Sequence, residues 1–175
     1  MHSNPAGFTI PRLAFAVGLI FALTTLAGGS APARAAGGGD GASAATAQDP
    51  DYAAGVQAIE AKQFAKAIPH LEAAVARDGA NADAYNWLAY AIRRHGDPAR
   101  SIPLYEKALS IDPKHRGAHE YIGEAYLALG NLPKAKEHLA RLDKLCFFPC
   151  AEYRDLKEAV RSYEAAGGTA KPAGR

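Results

Sequence analysis

The residues that decide the fold are ADAYNWLAYAIRRHGDPARSIPLYEKALSIDPKH (82–115) and, directly after them, RGAHEYIGEAYLALGNLPKAKEHLARLDKLCFFP (116–149). Written one beneath the other, the two stretches keep step over 34 residues without a gap. A third copy precedes them, QDPDYAAGVQAIEAKQFAKAIPHLEAAVARDGAN (48–81). Small residues coincide at Gly55, Ala89 and Gly123, and again at Ala67, Ser101 and Ala135. Bulky ones coincide at Leu71, Tyr105 and Leu139, and the second half of each copy carries Ala74, Ala108 or Leu142.

A period of this length means one supersecondary unit stacked on copies of itself. Alanine is abundant and β-branched residues and aromatics are sparse, which favours helices. Two antiparallel helices approach closely only where the residues at their crossing are small, as Gly55/Ala67, Ala89/Ser101 and Gly123/Ala135 are; larger neighbours then fill the space to the next repeat. Gly96 and Gly130 suit left-handed turn positions, with Lys62 at the equivalent place in the first copy. Pro98 and Pro133 fit the first turn of the following helix. Pro69 and Pro103 share a position near the start of the second helix and predict a slight bend there rather than a break.

The pattern resembles the tetratricopeptide repeat, W-x2-L-G-x2-Y…A-x3-F…P. The third copy carries it as His119, Ile122, Gly123, Tyr126, Ala135 and Leu139, and the second as Tyr85, Leu88, Ala89, Ile92, Ser101, Tyr105 and Pro113. The first copy departs most: Asp51 stands where a large aromatic is usual and Gly79 where proline is, so its first helix is expected to pack loosely. The resemblance implies an all-α, right-handed α-solenoid of three helix pairs (residues 49–149). A capping helix over 150–166 follows, with Tyr153, Leu156, Val160 and Tyr163 at helical spacing. Its outer face would present Arg154, Asp155, Lys157, Glu158 and Arg161 to solvent. From Gly167 onward (167–175) the sequence reads as a frayed tail.

The N-terminal region has a different character. Arg12, an apolar run from Leu13 to Ala27 and the small-x-small triplet Ala33-Arg34-Ala35 follow the order of a secretory signal, with cleavage after Ala35. The alternative is an uncleaved anchor retaining residues 13–28, although the run falls short of the ~20 residues that span a bilayer. No cysteine follows the run, which argues against a lipid-anchored protein. Residues 36–48, rich in glycine, alanine and serine, read as a flexible linker. The whole chain has 20 basic and 18 acidic side chains; Arg12 and Arg34 leave with the signal and no acid does, so the exported form is formally neutral. That argues against nucleic-acid or polybasic membrane binding.

In tetratricopeptide proteins, positions 2, 5, 9 and 12 of each first helix line a concave groove. The resemblance places there Asp49, Tyr52, Val56 and Ile59; Asp83, Asn86, Tyr90 and Arg93; and Gly117, Glu120, Glu124 and Leu127. Such a face, part aromatic and part charged, suits a peptide or helix from another protein. Tyr52 and Tyr90 would otherwise be exposed aromatics without a packing role. The family's carboxylate clamp needs Lys and Asn in the first repeat, where Tyr52 and Val56 stand, so that activity is not implied.

Cys146 and Cys150 enclose Phe-Phe-Pro. In an oxidising compartment they read as a structural disulfide fixing the cap, worth about 2 kcal/mol by chain entropy for so small a loop. A thiol-handling or cytochrome c maturation role is the alternative, against which stand the spacing between the cysteines and the lack of a thioredoxin-like pattern. His115 and His119 have the i, i+4 spacing of metal ligands, but no third ligand is evident and no metal or cofactor is expected. No phosphate-binding loop, nucleophile elbow or paired-carboxylate arrangement is present, so no catalysis is expected. The run 119–160 also resembles small exported bacterial tetratricopeptide proteins in which a cysteine pair precedes an EYRDLK-like helix. The sequence thus predicts a periplasmic adaptor for an envelope protein.

Overall fold

A computed structural model describes residues 49–168. The predicted signal (1–35), the linker (36–48) and residues 169–175 of the tail lie outside them. Among the described residues seven helices follow one another: α1 (Pro50–Glu60), α2 (Phe64–Arg77), α3 (Ala82–Arg94), α4 (Pro98–Ile111), α5 (Arg116–Ala128), α6 (Leu132–Leu145) and α7 (Ala151–Ala165). Among the described residues there is no strand, and no helix is long and apolar enough to cross a membrane. The helices pair as α1/α2, α3/α4 and α5/α6, and each pair packs mainly on the next, with α7 against α5 and α6. This is the right-handed α-solenoid the repeat predicts.

The turns explain why the period is so regular. The first helix of each pair, and α7, ends in a left-handed residue: Lys62, Gly96, Gly130 and Gly167. In every case two backbone bonds close the end. At α3 the Gly96 N–H donates to Arg93 O and the Asp97 N–H to Ile92 O; at α5 Gly130 and Asn131 donate to Leu127 and Tyr126. This paired closure satisfies carbonyls a helix end would otherwise leave bare. Gly167 and Gly168, expected to begin the frayed tail, close α7 in the same way by donating to Glu164 and Tyr163. The next helices then start on side-chain caps, Asp97 accepting from the Arg100 N–H and Asn131 from the Lys134 N–H.

Pro69 and Pro103 lie inside α2 and α4, and both helices run through them. Each proline and the residue four before it (Ala65, Ala99) are exposed, so the carbonyl that loses its partner faces water.

The core is a continuous seam. Ala67, Ser101 and Ala135 are fully buried where the helices cross. A Cβ added at Gly55 would sit 2.5 Å from Leu71 Cγ, and one at Gly123 would sit 2.6 Å from Leu156 Cδ2. The glycines therefore make room for leucines: Gly55 for its own second helix, Gly123 for α7. The expectation that α1 packs loosely is not met. Gly55 and Ile59 are buried. Asp51, in place of the aromatic, hydrogen-bonds His70 (2.8 Å), and Arg77 reaches both Asp49 and Asp51 at 2.6 Å. Ion pairing at the end of the array replaces the ring contact an interior repeat uses, and Arg77 holds the Asp49 carboxyl below its usual range.

Candidate functional site

The inner face of the solenoid is built by α1, α3, α5 and α7. Along it the structure sorts the predicted groove residues by how far each side chain turns toward the core. Ile59 and Leu127, at position 12, are buried in the apolar clusters of the first repeat and the cap, so they belong to the core rather than to an open face. Val56 is partly exposed. Tyr52 and Tyr90 are not exposed aromatics without a packing role: both lie half-buried against the first core cluster. Burial raises the Tyr52 hydroxyl pKa, and Asp83 beside it adds to the effect.

Tyr90 belongs to an aromatic run that crosses repeats. Its ring meets Phe64 at 6.0 Å and Trp87 at 5.7 Å, both edge-on, and Tyr121 at 4.8 Å; Trp87 and Tyr121 are 6.4 Å apart. Offset and edge-to-face arrangements of this kind suit the ring quadrupoles. Arg93 is buried beneath the run. It pairs with Glu124 at 2.8 Å, lies 3.4 Å from the Tyr105 hydroxyl, and places its guanidinium 5.3 Å from the Tyr90 ring and 5.6 Å from the Tyr121 ring. Burial opposes its charge, but Tyr105 and Glu124 outweigh that and its pKa is raised.

Toward α7 the face turns acidic. Glu120 is buried, and its pKa is pushed up to about 8 by that burial together with the carboxylates of Glu124, Asp155 and Glu152. Asp155, predicted on the outer face of the cap, thus lies near enough to Glu120 to act on it. The reason is register: α7 continues the 34-residue frame, in which Asp155 occupies the position held by Trp87 and Tyr121 in the two repeats before it. Between α3, the α4–α5 turn and the start of α7 lies a cavity of ≈ 410 Å³, whose lining includes Asp83, Asn86, Trp87, Gly117, Tyr121 and Glu152. Asn86 is 3% exposed, and its Oδ1 accepts no hydrogen bond.

Trp87 and Tyr121 were missed by the position rule because they stand at position 6, one residue past the assumed stripe. The signal was present: they are the same repeat position, and Trp87 is the chain's one tryptophan.

The two histidines at i, i+4 spacing serve different partners. His115 caps α5: its Nδ1 accepts from the Ala118 N–H and its Nε2 faces Asp83 at 3.1 Å. His119 Nδ1 lies 3.0 Å from His138 Nδ1, and its Nε2 donates to the Pro113 carbonyl at 3.1 Å. Among the described residues no group of three or more His, Cys, Asp or Glu could hold a metal. Cys146 and Cys150 are joined in a disulfide between the residue that ends α6 and the residue that starts α7, which leaves Phe147 and Phe148 exposed.

Stacked antiparallel helix pairs with a lined inner face define a helical-repeat solenoid. Two family models described as tetratricopeptide repeat match the chain, over residues 52–116 and 93–160, more than half of it together. The chain belongs to the tetratricopeptide-repeat family. No curated protein matches it. Solved structures of similar fold include the Yersinia enterocolitica type III secretion chaperone SycD in complex with a peptide of the translocator YopD. That match has a TM-score of 0.59 and 19% identity, covering 71% of this chain and 93% of that one. Another structure of SycD, described as a translocator chaperone, gives a TM-score of 0.60 at 18% identity, covering 71% and 86%.

Proposed function

We propose that this protein is an exported, periplasmic adaptor that catalyses nothing and holds a peptide or helix of an envelope protein on its inner face. The observation that carries the reading is the aromatic run Trp87, Tyr90 and Tyr121 on the inner helices α3 and α5, which Phe64 of α2 flanks and of which Trp87 and Tyr121 line an open cavity. Aromatic side chains give large contact area at little entropic cost and are enriched where proteins bind one another. The peptide carried by SycD in a solenoid of similar fold gives independent support. The export part rests on the signal-like order of residues 1–35.

The test is affinity capture from an envelope fraction with wild type and with a Tyr52→Ala, Trp87→Leu variant, circular dichroism confirming that the variant keeps its helices. Loss of the captured partner is expected. Equal capture by a folded variant removes the groove from the account. Sequencing the N-terminus of the secreted form reports on export: a start at Ala36 is expected, and a start at Met1 would favour a retained anchor.

A further inference from the structure

His119 of α5 and His138 of α6 meet inside the third repeat. Their Nδ1 atoms lie 3.0 Å apart with the ring centroids at 5.3 Å, so the two nitrogens face each other between the rings. Two lone pairs repel at that distance, and so do two N–H groups; one proton must sit between the rings. Which ring carries it is fixed on the other side of His119. Its Nε2 lies 3.1 Å from the Pro113 carbonyl, which can only accept, so in the neutral ring the hydrogen is on Nε2 and Nδ1 is bare. His138 must then keep its hydrogen on Nδ1 and donate it.

The same two repeat positions are filled differently in the other copies. In the first they are Asp51 and His70, hydrogen-bonded at 2.8 Å in an exposed setting. In the second they are Tyr85 and Leu104, both packed against the second core cluster. Only the third sets two titratable rings against each other under cover: His119 is buried, His138 is half-buried, and the Tyr126 ring stacks on His138 at 5.8 Å.

One added proton leaves the bridge standing, because a charged ring can still donate to a neutral one. A second sets N–H against N–H and charge against charge, and the half-buried His138 is the ring that can reach water. The surroundings offer little net charge to offset this. Around His119 stand Asp112 and His115 at the α4–α5 turn and Arg141 of α6. Around His138 stand Arg141 and the mutually paired Lys134 and Glu137 of its own helix, with His119 and Tyr126 of α5; Glu106 of α4 lies 3.5 Å from the Tyr126 hydroxyl. Burial therefore dominates and holds both rings below the ordinary histidine value. His138, which also feels His119, is pushed down to about 4.

We propose that His119 and His138 form a proton-operated latch: the neutral pair fastens α6 to α5, and full protonation drives His138 into solvent and loosens the third repeat. Glu120 and Tyr121 follow His119 on α5, so the loosening reaches the inner face. Between about 4 and 6.5 the unfolded chain holds a proton on His138 that the folded chain refuses. The latch is thus fully closed above the upper value and is lost as pH falls through the lower.

Two measurements test it. Imidazole 1H–15N correlation spectra near about pH 7.5 should show His119 as the Nε2–H tautomer and His138 as the Nδ1–H tautomer. Both rings as Nε2–H forms, or His138 titrating as a free histidine does, would overturn the proposal. Hydrogen exchange should show the protection of α5 and α6 amides falling by about tenfold from about pH 7 to about pH 5, beyond the intrinsic effect of pH on exchange. A His119→Tyr, His138→Leu variant, which installs the second repeat's own pair, should lose that acid response while keeping the contribution of Glu120. His138→Gln, which keeps a donor for His119 but cannot charge, gives the same comparison should the double variant fail to fold. Equal acid dependence in wild type and in a folded variant overturns the latch.

Discussion

Replacing Gly123 with alanine tests the packing on which the array depends. The new Cβ would lie 2.6 and 2.7 Å from the two methyls of Leu156 and 3.2 Å from its Cγ, where ordinary contact begins near 3.4 Å. Leu156 has no room to retreat: it is fully buried among Leu127, Ala135, Leu142, Val160 and Tyr163. Overpacking of this kind costs about 1–3 kcal/mol, and alanine returns about 0.8–1 kcal/mol through helix propensity. The net expectation is a loss of up to about 2 kcal/mol. Leu156→Ala alone removes a buried leucine and should cost about 2–5 kcal/mol. In that background the obstacle is gone, so Gly123→Ala should change sign and stabilise by about 1 kcal/mol. The coupling between the two sites is then about 1–3 kcal/mol, measurable as a double-mutant cycle from urea unfolding followed by circular dichroism. If Gly123→Ala costs the same in both backgrounds, α5 and α7 do not meet at this crossing and the account of the seam is wrong.

Gly79→Pro should stabilise by about 0.4–1 kcal/mol. Pro113 holds the same repeat position, the preceding Asp78 and Asp112 are both extended, and each accepts from the N–H two residues on, so the backbone is already fit for proline; a lower midpoint in urea would refute this. Glu120 predicts a pH dependence of stability. Its pKa is raised in the folded chain, so between about 4.5 and about 8 the folded state holds a proton that the unfolded state has released. The associated stability is complete below the lower value and is lost as pH rises through the upper. Glu120→Gln should therefore match wild type near pH 4.5 and exceed it by about 1–3 kcal/mol near pH 9, which thermal melts across that range check. Equal melting at the alkaline end would show that Glu120 is not buried among like charges.

The period made the fold readable, because small residues at Ala67, Ser101 and Ala135 and left-handed glycines at Gly96 and Gly130 are local requirements that any stacked helix pair must meet. The site was readable only in outline. Position counting put Tyr52, Asn86, Tyr90, Arg93, Glu120 and Glu124 near one face, but it could not say that Ile59 and Leu127 roll into the core. Nor could it place Trp87, Tyr121 and Asp155: a one-residue step turns a side chain by about 100°, and whether it meets groove or core depends on the neighbouring repeat. The loose first helix was misjudged for a similar reason. Asp51 looks like a defect until α2 brings His70 and Arg77 to it.

Because each helix rests mainly on its immediate neighbours, opening can begin at α1 and stop short of α7. A segment lying across the inner face would bridge α1, α3, α5 and α7 at once, and would act as a splint. Occupancy should then appear as slowed amide exchange at the far end of the array as well as beneath the ligand, so that the empty and filled proteins differ in cooperativity more than in shape.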